Sequence, residues 1–159
     1  VGKINATYAT VKALKEKKPD LIVNFGTAGS LRKDISGLID CKYFVQRDMD
    51  SRPLGFELGQ TPFESDPKLI IEAACHPINT INKNLTCASG DSFVESDICL
   101  EADVVDMEAY AIAKVCYLES APFVCFKYIS DFADESAADD FGDNVSKAGR
   151  SFSKYLENI

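Results

Sequence analysis

Four short runs hold residue types that could break a bond in a bound small molecule: Gly26-Thr27-Ala28-Gly29, Ser89-Gly90-Asp91-Ser92-Phe93-Val94, Asp106-Met107-Glu108 and Ser130-Asp131. Each follows an apolar stretch of the kind that forms a buried strand, and in open α/β sheets ligands bind outside the carboxyl ends of strands. Asp131 is either the N-cap of the next segment or a partly buried carboxyl acting as a general acid. Acids at 106 and 108 suit a helix N-terminus; alternatively Glu108 accepts two sugar hydroxyls while Met107 lies on the sugar's apolar face. Phe93 and Val94 make either a wall for a planar ring or core after a turn. The Gly-Thr-Ala-Gly run sets small residues and a hydroxyl where backbone N–H groups can meet a ligand oxygen, or it is a strand-to-loop turn. It matches neither a P-loop nor a dinucleotide fingerprint.

Strands and helices alternate around these runs. Asn5 is placed to cap a helix with Tyr8, Val11 and Leu14 on one face, ending at Lys15-Glu16-Lys17-Lys18 before Pro19. A short strand over 21–23 breaks at 24–30, a second covers 41–45, and 48–63 is a long loop of the length that is usually functional or disordered. A helix is expected over 67–75 and a strand over 85–88. Strand, helix and strand follow between 104 and 129, and the acidic stretch 134–143 is an exposed loop or helix start. Val145, Ala148, Phe152, Tyr155, Leu156 and Ile159 form the apolar face of a closing helix. The class is α/β with a largely parallel or mixed sheet, in a single domain over residues 1–159.

Composition narrows the partners. Apolar residues make up 46% and charged residues 26%, and no apolar run is long enough to span a bilayer. A net charge of -8 opposes a phosphate backbone, so nucleic acid and membrane are not expected partners. The six cysteines lack a CxxC pair and His76 is the only histidine, which argues against a metal site and for reduced thiols in a cytoplasmic protein. Three glycosylation-type tripeptides, beginning at Asn5, Asn84 and Asn144, are best read as chance matches.

The four runs in this order, at these separations, resemble the nucleoside phosphorylase superfamily and within it the methylthioadenosine/S-adenosylhomocysteine nucleosidases. The resemblance extends from Val1-Gly2-Lys3-Ile4-Asn5-Ala6 to the closing helix. It implies a three-layer α/β/α fold with a central mixed sheet, here without its first strands, because the segment resembling Val1-Gly2-Lys3 lies past the first strand in the family. It also implies a purine nucleoside substrate, no cofactor, and a homodimer in which the loop over 48–63 lies beside the neighbour's pocket. Position by position, Asp131 matches the general acid at purine N7 and Glu108 the carboxylate on the ribose hydroxyls. Met107 matches the residue packed on the sugar, and Phe93 and the Val94 backbone match the adenine wall. Thr27 matches a hydroxyl near the sugar and the attacking water, Gly29 a residue backing the ligand, and Ser130 and Ala133 the lining of the purine end.

An N-glycosidic bond breaks through an oxocarbenium-like sugar, so the reaction needs an acid for the leaving base and hydrogen bonds that strengthen on the sugar. The water-activating glutamate of the resembling family would lie upstream of Val1. Lys127 stands where many relatives have Arg. Asn24 stands where phosphorylases of this kind carry a phosphate-holding Arg, and a neutral amide cannot supply that charge-assisted grip, which favours water as nucleophile over phosphate. The alternatives are a phosphorylase of the same superfamily or a purine-binding protein without catalysis.

Overall fold

A computed structural model describes residues 1–159 except 67, 95–97, 134–136 and 159; of 137–143 and 145 it describes only the helical backbone. The order of elements is α1 (Lys3–Lys17), β1 (Ile22–Ser30), β2 (Leu38–Gln46), a 3-10 turn (Arg52–Leu54), β3 (Ile71–Glu72), β4 (Leu85–Ser89), β5 (Val104–Asp106), α2 (Ala109–Leu118), β6 (Phe123–Asp131) and α3 (Ala137–Leu156). The sheet runs β3-β2-β4-β5-β1-β6, mixing parallel pairs (β1–β6, β2–β4, β4–β5) with antiparallel ones (β1–β5, β2–β3). The first half of β2 also pairs antiparallel with β6, from Leu38↔Tyr128 to Cys41↔Cys125, so five strands close a circuit.

Apolar strands without alternation are the mark of a sheet covered on both faces, and β6 is buried along nearly its whole length. α2 turns Ala109, Tyr110, Ala113 and Cys116 inward onto the strands, and α1 packs on α2. α3 covers the opposite side against β6 and β1, with Phe152 stacked on Phe25 at 4.1 Å and tilted against Phe126 at 5.6 Å. Phe44 and Phe126 are wholly buried in the strands, each worth about 1.5–3 kcal/mol relative to exposure. The helix–sheet–helix layering and the mixed sheet agree with the sequence expectation.

Several local expectations fail. Asn5 does not cap α1: the helix starts at Lys3 after Gly2, and Asn5 Nδ2 donates to Val1 O at 2.8 Å from within the first turn. Tyr8 is exposed, and Thr10 is the buried residue of that helix. Gly26-Thr27-Ala28-Gly29 is no turn but lies inside β1. The segment 67–75 is not a helix; Pro67 lies outside the described residues, and Ile71–Glu72 forms an edge strand with Ile71 opposite Phe44. The acidic stretch 134–143, by contrast, takes the helix-start alternative, entering α3 at Ala137, with 134–136 outside the described residues. On the closing helix Ala148 is buried, Phe152 and Tyr155 are partly buried and Leu156 is exposed; the side chain of Val145, and Ile159, lie outside the description. All six cysteines are free, with Cys75 and Cys99 exposed.

Candidate active site

The four sequence runs meet at one cavity of about 560 Å³, within the size range of small-molecule sites. Thr27, Gly29, Phe93, Val94, Met107, Glu108, Ser130 and Asp131 all line it. Ala133 does not; it is buried behind the wall, where its backbone N–H donates to Asp131 Oδ1 at 2.9 Å.

Asp131 is the last residue of β6. The β1–β6 register slips here, Ala28 facing Ile129 but Gly29 facing Asp131, so one extra residue re-aims the strand end. Asp131 Oδ2 accepts the Ser130 hydroxyl at 2.6 Å, and Asn144 of α3 donates to Ser130 O at 2.8 Å. No cation stands within ion-pair distance of Asp131 among the described residues. Gly29 makes this placement possible: a Cβ there would lie 2.6 Å from Asp131 Oδ1, 3.2 Å from the Ala133 methyl and 3.3 Å from Val105 Cγ2. Its role here is to leave room for the acid.

Glu108 occupies the N-cap position of α2, yet its side chain makes no capping bond. Asp106 does that work, accepting from Ala109 N at 2.9 Å. Glu108 is thereby free to face the cavity, where Oε1 accepts the Gly2 N–H at 2.7 Å.

The cavity is also lined by a pair that the sequence reading did not assign. Lys127 Nζ sits 2.7 Å from Asp106 Oδ2, both side chains almost fully buried. Burial works against the charge on Asp106, but Lys127 and the hydrogen bonds from Lys127, Ser89 and Ala109 outweigh it and hold the carboxyl below its usual range. Burial likewise opposes the charge on Lys127, and Asp106 overcomes it, so the ammonium is held above its usual range. Ser89 Oγ donates to Asp106 Oδ1 and accepts from Tyr110 N at 2.8 Å, which ties β4, β5, β6 and α2 into one network. The signal was available: a lysine inside the apolar run of β6 needs a carboxylate partner. Arg47 and Val1 also line the cavity without having been singled out. Asn24 lines it too, its Oδ1 accepting the Cys125 thiol at 3.3 Å.

Among the described residues no group of His, Cys, Asp and Glu could hold a metal ion, and no helix is long and apolar enough to cross a membrane.

Comparison with known proteins agrees with this geometry. A model of the phosphorylase superfamily matches residues 1–159. The 5'-methylthioadenosine/S-adenosylhomocysteine nucleosidase of Staphylococcus haemolyticus is 33% identical over 176 residues, spanning 100% of this chain and 77% of that protein. The protein of the same name from Staphylococcus saprophyticus is 34% identical over 177 residues, with the same coverage. Among solved structures, futalosine hydrolase of Helicobacter pylori superposes with a TM-score of 0.87 at 28% identity, covering 99% of this chain and 74% of that one. A mutant H. pylori nucleosidase with 5'-methylthioadenosine in its active site gives 0.88 at 28% identity, covering 99% and 75%. The chain belongs to the phosphorylase superfamily, in its 5'-methylthioadenosine/S-adenosylhomocysteine nucleosidase family.

Proposed function

We propose that this protein hydrolyses the N-glycosidic bond of adenine nucleosides of the methylthioadenosine/S-adenosylhomocysteine type, releasing adenine. The observation that carries the reading is the joint placement of Asp131 and Glu108 on one cavity wall system, each free of a cationic partner. Asp131 protonates or hydrogen-bonds the departing purine, so that it leaves as a neutral base. Glu108 accepts the sugar hydroxyls, and these bonds strengthen as the sugar becomes cationic. Phe93, half-exposed, supplies the face on which the purine stacks; Val94 reads its edge and Met107 covers the sugar. Thr27 offers its hydroxyl near the sugar, and Ser130 fixes Asp131. Asn24, a neutral amide on the cavity wall, favours water over phosphate as the nucleophile.

The protein works as a homodimer in the cytoplasm. Leu54 and Phe63 of the loop over 48–63, and Ile4 and Tyr8 on the outer face of α1, are large apolar side chains in contact with solvent, and a second copy would cover them. Free thiols throughout suit a reducing compartment. The reading is tested by giving the full-length protein methylthioadenosine and measuring adenine release. Catalytic release supports it; tight binding of the nucleoside with no adenine formed would leave a binding protein instead.

A further inference from the structure

Arg47, one residue past β2, is a cation on the cavity wall with no anionic partner among the described residues. Its Nη1 donates to Ser92 Oγ at 3.1 Å, and its Nη2 to Gly90 O at 3.3 Å and to Ser92 O; Nε is buried with no partner at all. Every one of these acceptors is neutral. The described acids beside it turn elsewhere. Asp48, the next residue, binds Lys3 Nζ at 2.5 Å, and Asp91, between the two residues that Arg47 touches, accepts the Lys3 N–H at 2.8 Å. The other cation lining the cavity, Lys127, is neutralised by Asp106. In a chain with 25 acidic residues against 17 basic ones, a guanidinium at a cavity wall with no acid against it among the described residues points to an anion that arrives with the ligand.

We propose that Arg47 is a specificity residue that takes a carboxylate carried by the substituent on the substrate's sugar. This rests on the nucleosidase reading above and adds to it a preference among substrates. Placement follows from the chain of contacts. Glu108, at the sugar, meets Gly2; the adjoining Lys3 meets Asp48 and Asp91; and these flank Arg47. The bed for the guanidinium is built by Gly90, where a Cβ would lie 2.7 Å from Arg47 Cζ and 2.9 Å from Nε. One guanidinium balances a monoanion. A phosphate dianion would keep half its charge uncompensated in a cavity that also holds Glu108 and Asp131.

The test compares two adenine nucleosides that differ only at the end of a sulfur-linked chain on the sugar, a carboxypropylthio compound and its methyl ester, with the full-length protein. In the wild type kcat/KM favours the carboxylate. In Arg47→Gln the ratio of kcat/KM values, carboxylate over ester, falls by about ten- to a hundredfold, the worth of a charge-assisted hydrogen bond, mostly through KM. Arg47→Lys restores part of the ratio. A ratio unchanged by Arg47→Gln, with both substrates losing equally, gives Arg47 a merely structural role and overturns the proposal. Turnover that requires inorganic phosphate and loses that requirement in Arg47→Gln places phosphate there instead, and also overturns it. If neither compound releases adenine from the wild type, the nucleosidase reading falls; equilibrium binding of the same pair to wild type and Arg47→Gln then decides the assignment of Arg47 by the same ratio.

Discussion

Asp106 and Asp131 end the two strands that flank β1, both nearly buried, and their surroundings differ in one respect. Asp106 is saturated: Lys127, Ser89 and Ala109 take its oxygens and the pair balances its charge. Asp131 is held in position by Ser130 and Ala133 with no counter-charge, on the cavity wall. A carboxylate whose hydrogen bonds and charge are all satisfied builds structure, and one that is positioned but unsatisfied is available to a ligand. Four variants or conditions test this contrast.

The largest effect is expected at the unsatisfied acid. Asp131→Asn should lower turnover about a hundred- to ten-thousandfold, since an amide can hydrogen-bond but cannot act as an acid, while adenine analogues still bind. Steady-state kinetics beside calorimetric binding checks both halves, and near-normal turnover removes Asp131 from the role. At the saturated acid the loss should fall on folding. Lys127→Met strands Asp106 without its partner and should cost about 3–5 kcal/mol in urea unfolding. A change under about 1 kcal/mol would mean that Asp106 is not the buried anion described.

Gly29→Ala tests how Asp131 is positioned. The added methyl meets Asp131 Oδ1, so the acid must shift, and a displacement of about 1 Å can cost about a hundredfold in rate. The stability cost is the smaller part, about 1–3 kcal/mol. Full activity in that variant would show that the acid has slack.

The smallest expected effect is the pH dependence of the ion pair. Asp106 is depressed in the folded state, so its contribution is complete above the unfolded value near pH 4 and is lost as pH falls through the folded value. Lys127 is raised, so its contribution is complete below about pH 10 and is lost only as pH climbs further. The urea midpoint difference between wild type and Lys127→Met should therefore be widest between about pH 4 and pH 10 and narrow on the acid side. A difference that peaks below pH 4 would contradict the pairing.

How much of this was legible in the sequence depends on the range of the interaction. Acids at the ends of apolar strands marked Asp131 and Glu108, and the alternation of strands with helices gave the class. The lysine within β6 could also have been read, since its burial demands a partner. Ile71 could not: a short apolar run fits a helix or a strand equally, and pairing with β2 across a long loop decided it. Likewise, nothing local in Gly29 says that its missing Cβ leaves space for Asp131, more than a hundred residues on. Arg47 was silent because its significance lies in Lys3 drawing away both neighbouring acids.

Whether this cavity uses water to cut an N-glycosidic bond is read from mass analysis of the sugar product when the full-length protein turns over methylthioadenosine in ¹⁸O-enriched water containing inorganic phosphate. The expected products are adenine and a free sugar carrying one ¹⁸O at the former glycosidic carbon, with the same yield when phosphate is left out. A sugar phosphate without the label, formed only when phosphate is present, would contradict the hydrolytic reading.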